Sequence, residues 1–229
     1  MICAAVVPAA GRGERLGGAG PKALREVAGV PLLVHALHAL DAGTPGDGGG
    51  VVPAPPGAVA AFRAAVRRAG LHGRWEVCAG GATRQASVRA GLSRLPAGAD
   101  VVLVHDAARA CVPSALVRRV VAAVEGGADA VVPVVPVADT VKHVDDGIVV
   151  GTPDRSGLRQ VQTPQGFRRA VLEAAYAAAV DDPPPRGATD DAGLVERGGG
   201  RVVVVDGDPR AFKVTGPLDL LLAELLLGR

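Results

Sequence analysis

The sequence predicts an α/β protein built on a doubly wound, mostly parallel sheet. Three observations carry this: continuous apolar runs such as Ile2-Cys3-Ala4-Ala5-Val6-Val7 and Val101-Val102-Leu103-Val104, helix-period segments between strand-like runs, and glycine-rich loops after Ile2 to Val7 and after Trp75 to Cys78. A short unbroken apolar run suits a strand buried on both faces. Strands alternating with helices imply crossover connections, and ligands that sit beyond the carboxyl ends of the strands.

Taken in order, Ile2 to Val7 is the first buried strand. Leu33, Leu37 and Leu40 form the apolar stripe of a helix after Pro31, and Val59, Phe62 and Val66 that of another after Pro56. Between them, Gly43 to Gly57 is rich in glycine and proline, and Val51-Val52 is its one hint of a strand. Trp75 to Cys78 reads as a strand, Gln85 to Leu95 as a helix, Val101 to Val104 as a strand and Ala115 to Val124 as a helix. Ala130 to Val135 follows as a strand, Phe167 to Ala179 as a helix, Val202 to Val205 as a late strand and Gly216 to Leu227 as a leucine-rich closing helix. The alternation breaks once, over residues 137–162, where two short β-like pieces flank Asp145-Asp146-Gly147. That pattern reads as a β-hairpin arm. An isolated hairpin is marginal in water, so the arm packs either on a second subunit or back on its own domain.

With 229 residues, nearly half of them apolar, residues 1–229 are expected to form one domain with 137–162 as its protruding arm. The formal net charge is +2 and the basic residues are scattered, which argues against nucleic acid and anionic membranes as partners. No apolar run approaches the roughly 20 residues of a bilayer span, and Met1-Ile2-Cys3 lacks a basic leader region, so a cytoplasmic protein is expected. Cys3, Cys78 and Cys111 are odd in number and far apart, as free thiols in a reducing compartment would be. Only Lys22, Lys142 and Lys213 are lysine among the 25 basic residues. A compact ammonium reaches a single oxygen where a guanidinium fork cannot, so these three stand out in an arginine-dominated chain.

The loop after the first strand runs from Pro8 through Ala9, Ala10, Gly11, Arg12, Gly13, Glu14, Arg15 and Leu16 to Pro21-Lys22. Its glycines allow several backbone N–H groups to face one anion. It is neither a dinucleotide fingerprint, since Leu16 holds the place of the last glycine, nor a P-loop, since Pro21 precedes Lys22 and Ala23 follows it. A second such loop, Gly80-Gly81-Ala82-Thr83-Arg84-Gln85-Ala86-Ser87, permits close approach of a flat ligand, with Ser87 either a plain helix residue or a contact. In the third, His105-Asp106-Ala107-Ala108-Arg109, a carboxylate follows a buried strand; Asp106 can hold a cation or position a hydroxyl, and His105 suits a structural role as well as a chemical one.

These loops resemble those of the methylerythritol-phosphate cytidylyltransferases of the non-mevalonate isoprenoid pathway. The resemblance also takes in Asp139-Thr140, Asp154-Arg155, Thr163-Pro164-Gln165, Thr189-Asp190-Asp191-Ala192 and Lys213-Val214-Thr215, and so spans nearly the whole chain. It implies a Rossmann-like nucleotidyltransferase fold whose hairpin arm dimerises. It further implies a first loop, with Gly11 and Gly13, that wraps CTP, with Arg15 and Lys22 stabilising the transition state. Ala9, Ala10, Gly80, Gly81 and Ser87 would contact the nucleoside. Asp106, Thr140, Arg155, Thr163, Thr189 and Lys213 would surround the sugar phosphate, with Thr140 and Arg155 reaching in from the partner subunit. Ala110 departs from the family, which usually has proline there, and no fused cyclase domain is expected.

The implied reaction has a phosphate oxygen of methylerythritol phosphate attack the α-phosphorus of CTP, with magnesium or another divalent ion and with Asp106 as its candidate ligand. A phosphate monoester, with a second pKa of about 6, needs no strong base. Arg15, Lys22, Arg155 and Lys213 are the catalytic candidates, since the difficulty lies in bringing two anions together. The rival readings are a ribitol-phosphate cytidylyltransferase, a non-catalytic nucleotide sensor and a dinucleotide oxidoreductase, the last disfavoured by Leu16.

Overall fold

The computed structural model describes residues 1–10, 20–46, 49–179 and 189–228. Strand β1 (Ile2–Val6) leads to a small hairpin of β2 (Glu26–Val27) and β3 (Val30–Pro31), then to α1 (Leu32–Gly43), β4 (Gly50–Ala54), α2 (Val59–Arg68), β5 (Trp75–Ala79) and α3 (Arg84–Leu92). Next come β6 (Ala99–Val104), α4 (Ser114–Glu125) and β7 (Ala130–Pro136), followed by β8 (His143–Asp145), β9 (Ile148–Gly151), β10 (Arg159–Val161) and β11 (Gln165–Arg168). The chain closes with α5 (Arg169–Ala178), α6 (Asp191–Arg197), β12 (Val202–Asp206) and α7 (Pro217–Leu227).

Among the described residues, the main sheet runs β10-β7-β11-β6-β1-β4-β5, with β12 also paired to β7. Strand β1 lies parallel between β4 and β6, so the chain builds outward to one side through β4 and β5, then returns to the other side at β6. That reversal opens a crevice beyond the carboxyl ends of β1 and β6, where doubly wound sheets bind ligands. Side chains of β1 alternate between two cores, as strand geometry requires. Cys3 and Ala5 join Leu33, Leu37, Phe62 and Val117 on one face, while Ala4 and Val6 join Val88, Leu92, Leu172 and Tyr176 on the other.

The glycine-rich stretch 43–57 holds a central strand. A Cβ on Gly50 would stand 1.8 Å from the Ala5 carbonyl oxygen, so close pairing of β4 with β1 excludes any larger residue there. Helix periodicity over Phe167 to Ala179 misleads at its start. Gln165–Arg168 is a strand wedged antiparallel between β6 and β7, with Phe167 fully buried, and the helix begins only at Arg169. The helix expected over Gln85 to Leu95 begins one residue earlier, at Arg84, and ends at Leu92, ahead of Pro96. Helix α6 arises where the sequence offers only a motif, capped by Asp190, whose Oδ1 accepts from the Gly193 N–H at 2.9 Å.

In the arm, β8 and β9 pair around Asp146 (φ 42°) and Gly147 (φ 77°), the left-handed pair that a tight hairpin turn needs. Both strands are exposed rather than folded back on the domain, and Val144, Ile148, Val149 and Val150 are each more than half exposed. The last part of the 137–162 segment differs from a free arm, since β10 pairs antiparallel with β7 in the main sheet. Residues 162–165 then face only residues 132–133 of β7 before pairing resumes at Gly166, a bulge of two extra residues that carries Thr163. Bulges of this kind re-aim side chains beside functional sites.

Candidate active site

The third loop extends β6, since the His105 N–H donates to the Val6 carbonyl at 3.0 Å and so holds Asp106 at the mouth of the crevice. The Asp106 carboxylate is shared by two cations. Arg84 Nε lies 3.2 Å from Oδ1 and Lys213 Nζ 2.8 Å from Oδ2. Burial disfavours the Asp106 charge, but Arg84 and Lys213 more than offset this and hold the carboxyl well below its ordinary range. Two of its roughly four lone-pair positions remain for a substrate hydroxyl.

Arg84 also reaches Asp191, its Nη2 2.7 Å from Oδ2, and the Tyr176 hydroxyl donates to Asp191 Oδ1 at 2.6 Å. Burial opposes the Arg84 charge, and the two carboxylates raise its pKa despite that. Arg109 donates to the Ala211 carbonyl at 2.7 Å and to the Val161 carbonyl at 3.3 Å, which ties the Asp106 loop to the segment ahead of Lys213. Burial lowers its pKa, and the nearby Arg84 charge adds to that. Three cations therefore face two carboxylates, and the resulting positive excess suits phosphate. Of this network, Arg84, Arg109 and Asp191 stand in the motifs read from the sequence but take no role there, and Tyr176 is not singled out.

Thr163 supports the cluster from behind. Its Oγ1 accepts from the Asp106 N–H at 3.0 Å and lies 3.0 Å from His105 Nδ1. Burial pushes the fully enclosed His105 down to about 4, so the ring is neutral at pH 7. Beside the lone pair used by the Asp106 N–H, Oγ1 keeps a second lone pair and its own proton, so it can partner either tautomer of the neutral ring. His105 is thus a structural partner of Thr163.

The nucleoside candidates meet at the ends of β1, β4 and β5. The Ala9 N–H donates to the Pro53 carbonyl at 2.9 Å, and the Gly80 N–H to the Ala54 carbonyl at 2.7 Å. A Cβ on Gly80 would stand 3.3 Å from the Ala10 Cβ, so the two glycine-rich loops touch there. Ser87 is fully buried; its hydroxyl accepts from the Gly81 N–H at 3.1 Å and faces the Thr83 carbonyl at 2.9 Å. These bonds fix the loop shape. A Cβ on Gly81 would stand 2.4 Å from the Ala86 Cβ, which explains the second glycine.

Lys22 opens a 3-10 turn (Lys22–Leu24). Burial disfavours the Asp219 charge, but bonds from Thr215 and Gly216, with a smaller contribution from the Lys22 charge, hold its carboxyl below the ordinary range. Thr189 is exposed just ahead of α6. The arm residues stand apart from this cluster: Thr140 is exposed, and the Arg155 guanidinium donates to the Ala138 carbonyl of its own arm. Lys142 Nζ donates to Thr152 Oγ1 at 2.7 Å, a brace across the arm. Gly11, Gly13 and Arg15 lie outside the described residues. The geometry thus brings together Asp106, Thr163 and Lys213, and separately Ala9, Ala10, Gly80, Gly81 and Ser87.

Among the described residues no three His, Cys, Asp or Glu side chains cluster as a metal site, and none of the helices is long and apolar enough to cross a membrane. With Arg84 and Lys213 on its two oxygens, Asp106 is an ion-pair partner of two cations in this arrangement.

Comparison with known proteins gives one consistent result. The family model described as IspD, 2-C-methyl-D-erythritol 4-phosphate cytidylyltransferase, matches residues 3–229. The enzyme of that name from Saccharopolyspora erythraea is 54% identical over 236 residues, covering 100% of both chains. That of Streptomyces avermitilis is 50% identical over 235 residues, covering 99% of this chain and 92% of its own. The crystal structure of the cytidylyltransferase from Thermus thermophilus superposes with a TM-score of 0.79 at 37% identity, over 99% of this chain and 98% of that one. On a match that runs over residues 3–229, backed by relatives and a solved structure of the same name over nearly the whole chain, this chain belongs to the 2-C-methyl-D-erythritol 4-phosphate cytidylyltransferase family.

Proposed function

We infer that this chain transfers a cytidylyl group from CTP to 2-C-methyl-D-erythritol 4-phosphate, giving 4-diphosphocytidyl-2-C-methyl-D-erythritol and pyrophosphate in isoprenoid precursor synthesis. The observation that carries the reading is the Asp106–Lys213 ion pair, backed by Arg84, at the sheet's reversal point in a chain matched to the family over residues 3–229. A dianionic phosphate oxygen of the acceptor attacks the α-phosphorus, the α–β phosphoanhydride bond breaks, and pyrophosphate leaves. No residue has to remove a proton from the nucleophile, whose second pKa is about 6. Catalysis rests on bringing the two anions into line and on offsetting the charge that builds on the phosphates.

Lys213 holds the acceptor phosphate, and Asp106 keeps that ammonium aimed while accepting a substrate hydroxyl. Lys22, with Arg15 from the first loop, acts on the CTP phosphates. Ala9, Ala10, Gly80 and Gly81 present backbone to the base and ribose, and Ser87 fixes that backbone. Thr189 lines the acceptor side. Thr140 and Arg155 act in the site of a second copy of the chain, brought there by the exposed hairpin; the apolar exposure of Val144, Ile148 and Val150 supports such a homodimer. Magnesium held by the CTP phosphates would supply neutralisation of the triphosphate charge, with Asp106, which already pairs with Arg84 and Lys213, as the carboxylate beside it. The protein works in the cytoplasm.

The acceptor is tested by parallel assays with 2-C-methyl-D-erythritol 4-phosphate and ribitol 5-phosphate, scored by pyrophosphate release. The expected kcat/KM favours the branched acceptor by at least about tenfold, the order that one methyl-sized difference in fit supports. Equal or reversed preference would remove the assignment of the acceptor.

A further inference from the structure

Helix α7 stands outside the crevice, yet it is fastened to both lysine-bearing segments of the site. A third small core joins Ala223 of α7 to Val27 and Leu32 beyond the Lys22 turn, to Ala110 and Cys111 beyond the Asp106 loop, and to Val214 beside Lys213. Polar ties run the same way. Glu224 Oε2 accepts from the Ala28 N–H at 2.9 Å, and the Val214 N–H donates to the Ala108 carbonyl at 2.8 Å. Asp219, in the first turn of α7, accepts three bonds on one oxygen: from the Thr215 N–H at 2.6 Å, the Thr215 hydroxyl at 2.7 Å and the Gly216 N–H at 2.8 Å.

Helix capping alone accounts for the bond from Gly216, because a carboxylate at the third helical position commonly reaches back to the cap N–H. It does not account for the two bonds to Thr215, which bind the segment that carries Lys213. We propose that Asp219 is a positioning residue for the transfer: it clamps the Lys213-Val214-Thr215-Gly216 segment and so sets where the Lys213 ammonium stands. The inference rests on the role given above to Lys213. That ammonium sits on a long flexible stem, and a shift of about 1 Å at such a group can cost about 10²-fold in rate.

The test uses the full-length chain and compares Asp219→Asn, Lys213→Ala and the double variant over titrations of CTP and methylerythritol phosphate up to saturation, with thermal melting of each. Asp219→Asn keeps the shape and removes the charge. Its kcat is expected to fall about tenfold, the order of one lost charge-assisted hydrogen bond, with KM changed far less. In the Lys213→Ala background the same substitution is expected to cost less than about threefold, because a shared interaction can be lost only once. Thr215→Val, which removes one bond of the three and leaves the cap N–H groups bonded, is expected to lower kcat in the same direction; it carries the test if Asp219→Asn does not fold. A lowered melting temperature with unchanged kcat, or an equal loss in both backgrounds, would reduce Asp219 to a helix cap and overturn the proposal. Unchanged kcat/KM in Lys213→Ala would instead remove the role of Lys213 on which the proposal stands.

Discussion

Replacing Arg84 with methionine tests whether its guanidinium joins two loops of the site through charge. Arg84 Nη2 lies 2.7 Å from Asp191, whose side chain is only 1% exposed, and Arg84 Nε lies 3.2 Å from Asp106, 12% exposed. Removing one member of a buried ion pair typically costs about 3–5 kcal/mol, because the abandoned charge stays buried. The Arg84 side chain is itself a third exposed, and Asp191 keeps the Tyr176 hydroxyl at 2.6 Å, which together point to the low end, about 3 kcal/mol. Adding Asp191→Asn removes the abandoned charge while still offering Tyr176 an acceptor. The double variant should therefore lose only about 1 kcal/mol, so the coupling between positions 84 and 191 is about 2 kcal/mol plus whatever Asp191→Asn costs alone. Urea unfolding of wild type, both single variants and the double variant gives the four free energies. Turnover should stay low in both Arg84 variants, since Asp106 has lost one of its two cations in each. Additive free energies, or a cost below about 1 kcal/mol for Arg84→Met, would show that the pair carries no such charge coupling.

Lys22→Ala is expected to lower kcat by about 10²–10³ with little change in the CTP KM, and Lys22→Arg should recover little because the fork cannot occupy the same point; a raised KM with intact kcat would assign Lys22 to ground-state binding. Burial holds His105 at about 4 against an ordinary value near 6.5, so the unfolded chain binds the extra proton between those values and stability falls as pH drops through that window. The loss should approach about 3 kcal/mol by pH 4 and be largely absent in His105→Gln, as read from urea midpoints; an unchanged pH profile in the variant would contradict it. Lys22→Ala and Arg155→Ala homodimers should each be nearly inactive, and their mixture should recover about a quarter of wild-type activity, since about half the dimers are mixed and each has one intact site. No recovery, with subunit exchange confirmed by mass spectrometry, would place Arg155 in its own subunit's site.

The central strands were legible because their apolar runs are unbroken, and the loops because glycine, carboxylate and lysine follow those runs directly. Strand Gln165–Arg168 was hidden because its apolar content merges with the stripe of α5, and only the gap between β6 and β7 makes it a strand. Arg84 was hidden differently. It is one of 22 arginines in the sequence, and its partners, Asp106 and Asp191, arrive from distant loops that only the assembled sheet brings together. Asp219 and Glu224 read as ordinary helix carboxylates until Thr215 and Ala28 appear opposite them. Lys22 and Lys213 stood out for the opposite reason, as rare ammonium groups in a chain that uses arginine almost everywhere else.

The central claim is that an oxygen of the acceptor phosphate attacks the α-phosphorus of CTP. Oxygen labelling tests it most directly. Methylerythritol phosphate carrying ¹⁸O in its non-bridging phosphate positions is converted with unlabelled CTP, and both products are analysed by ³¹P NMR and mass spectrometry. Attack at the α-phosphorus predicts that every label stays in the nucleotide product, with one ¹⁸O in the new bridge, and that the pyrophosphate is label-free. Label in the pyrophosphate, or an unlabelled bridge in the nucleotide product, would contradict the account.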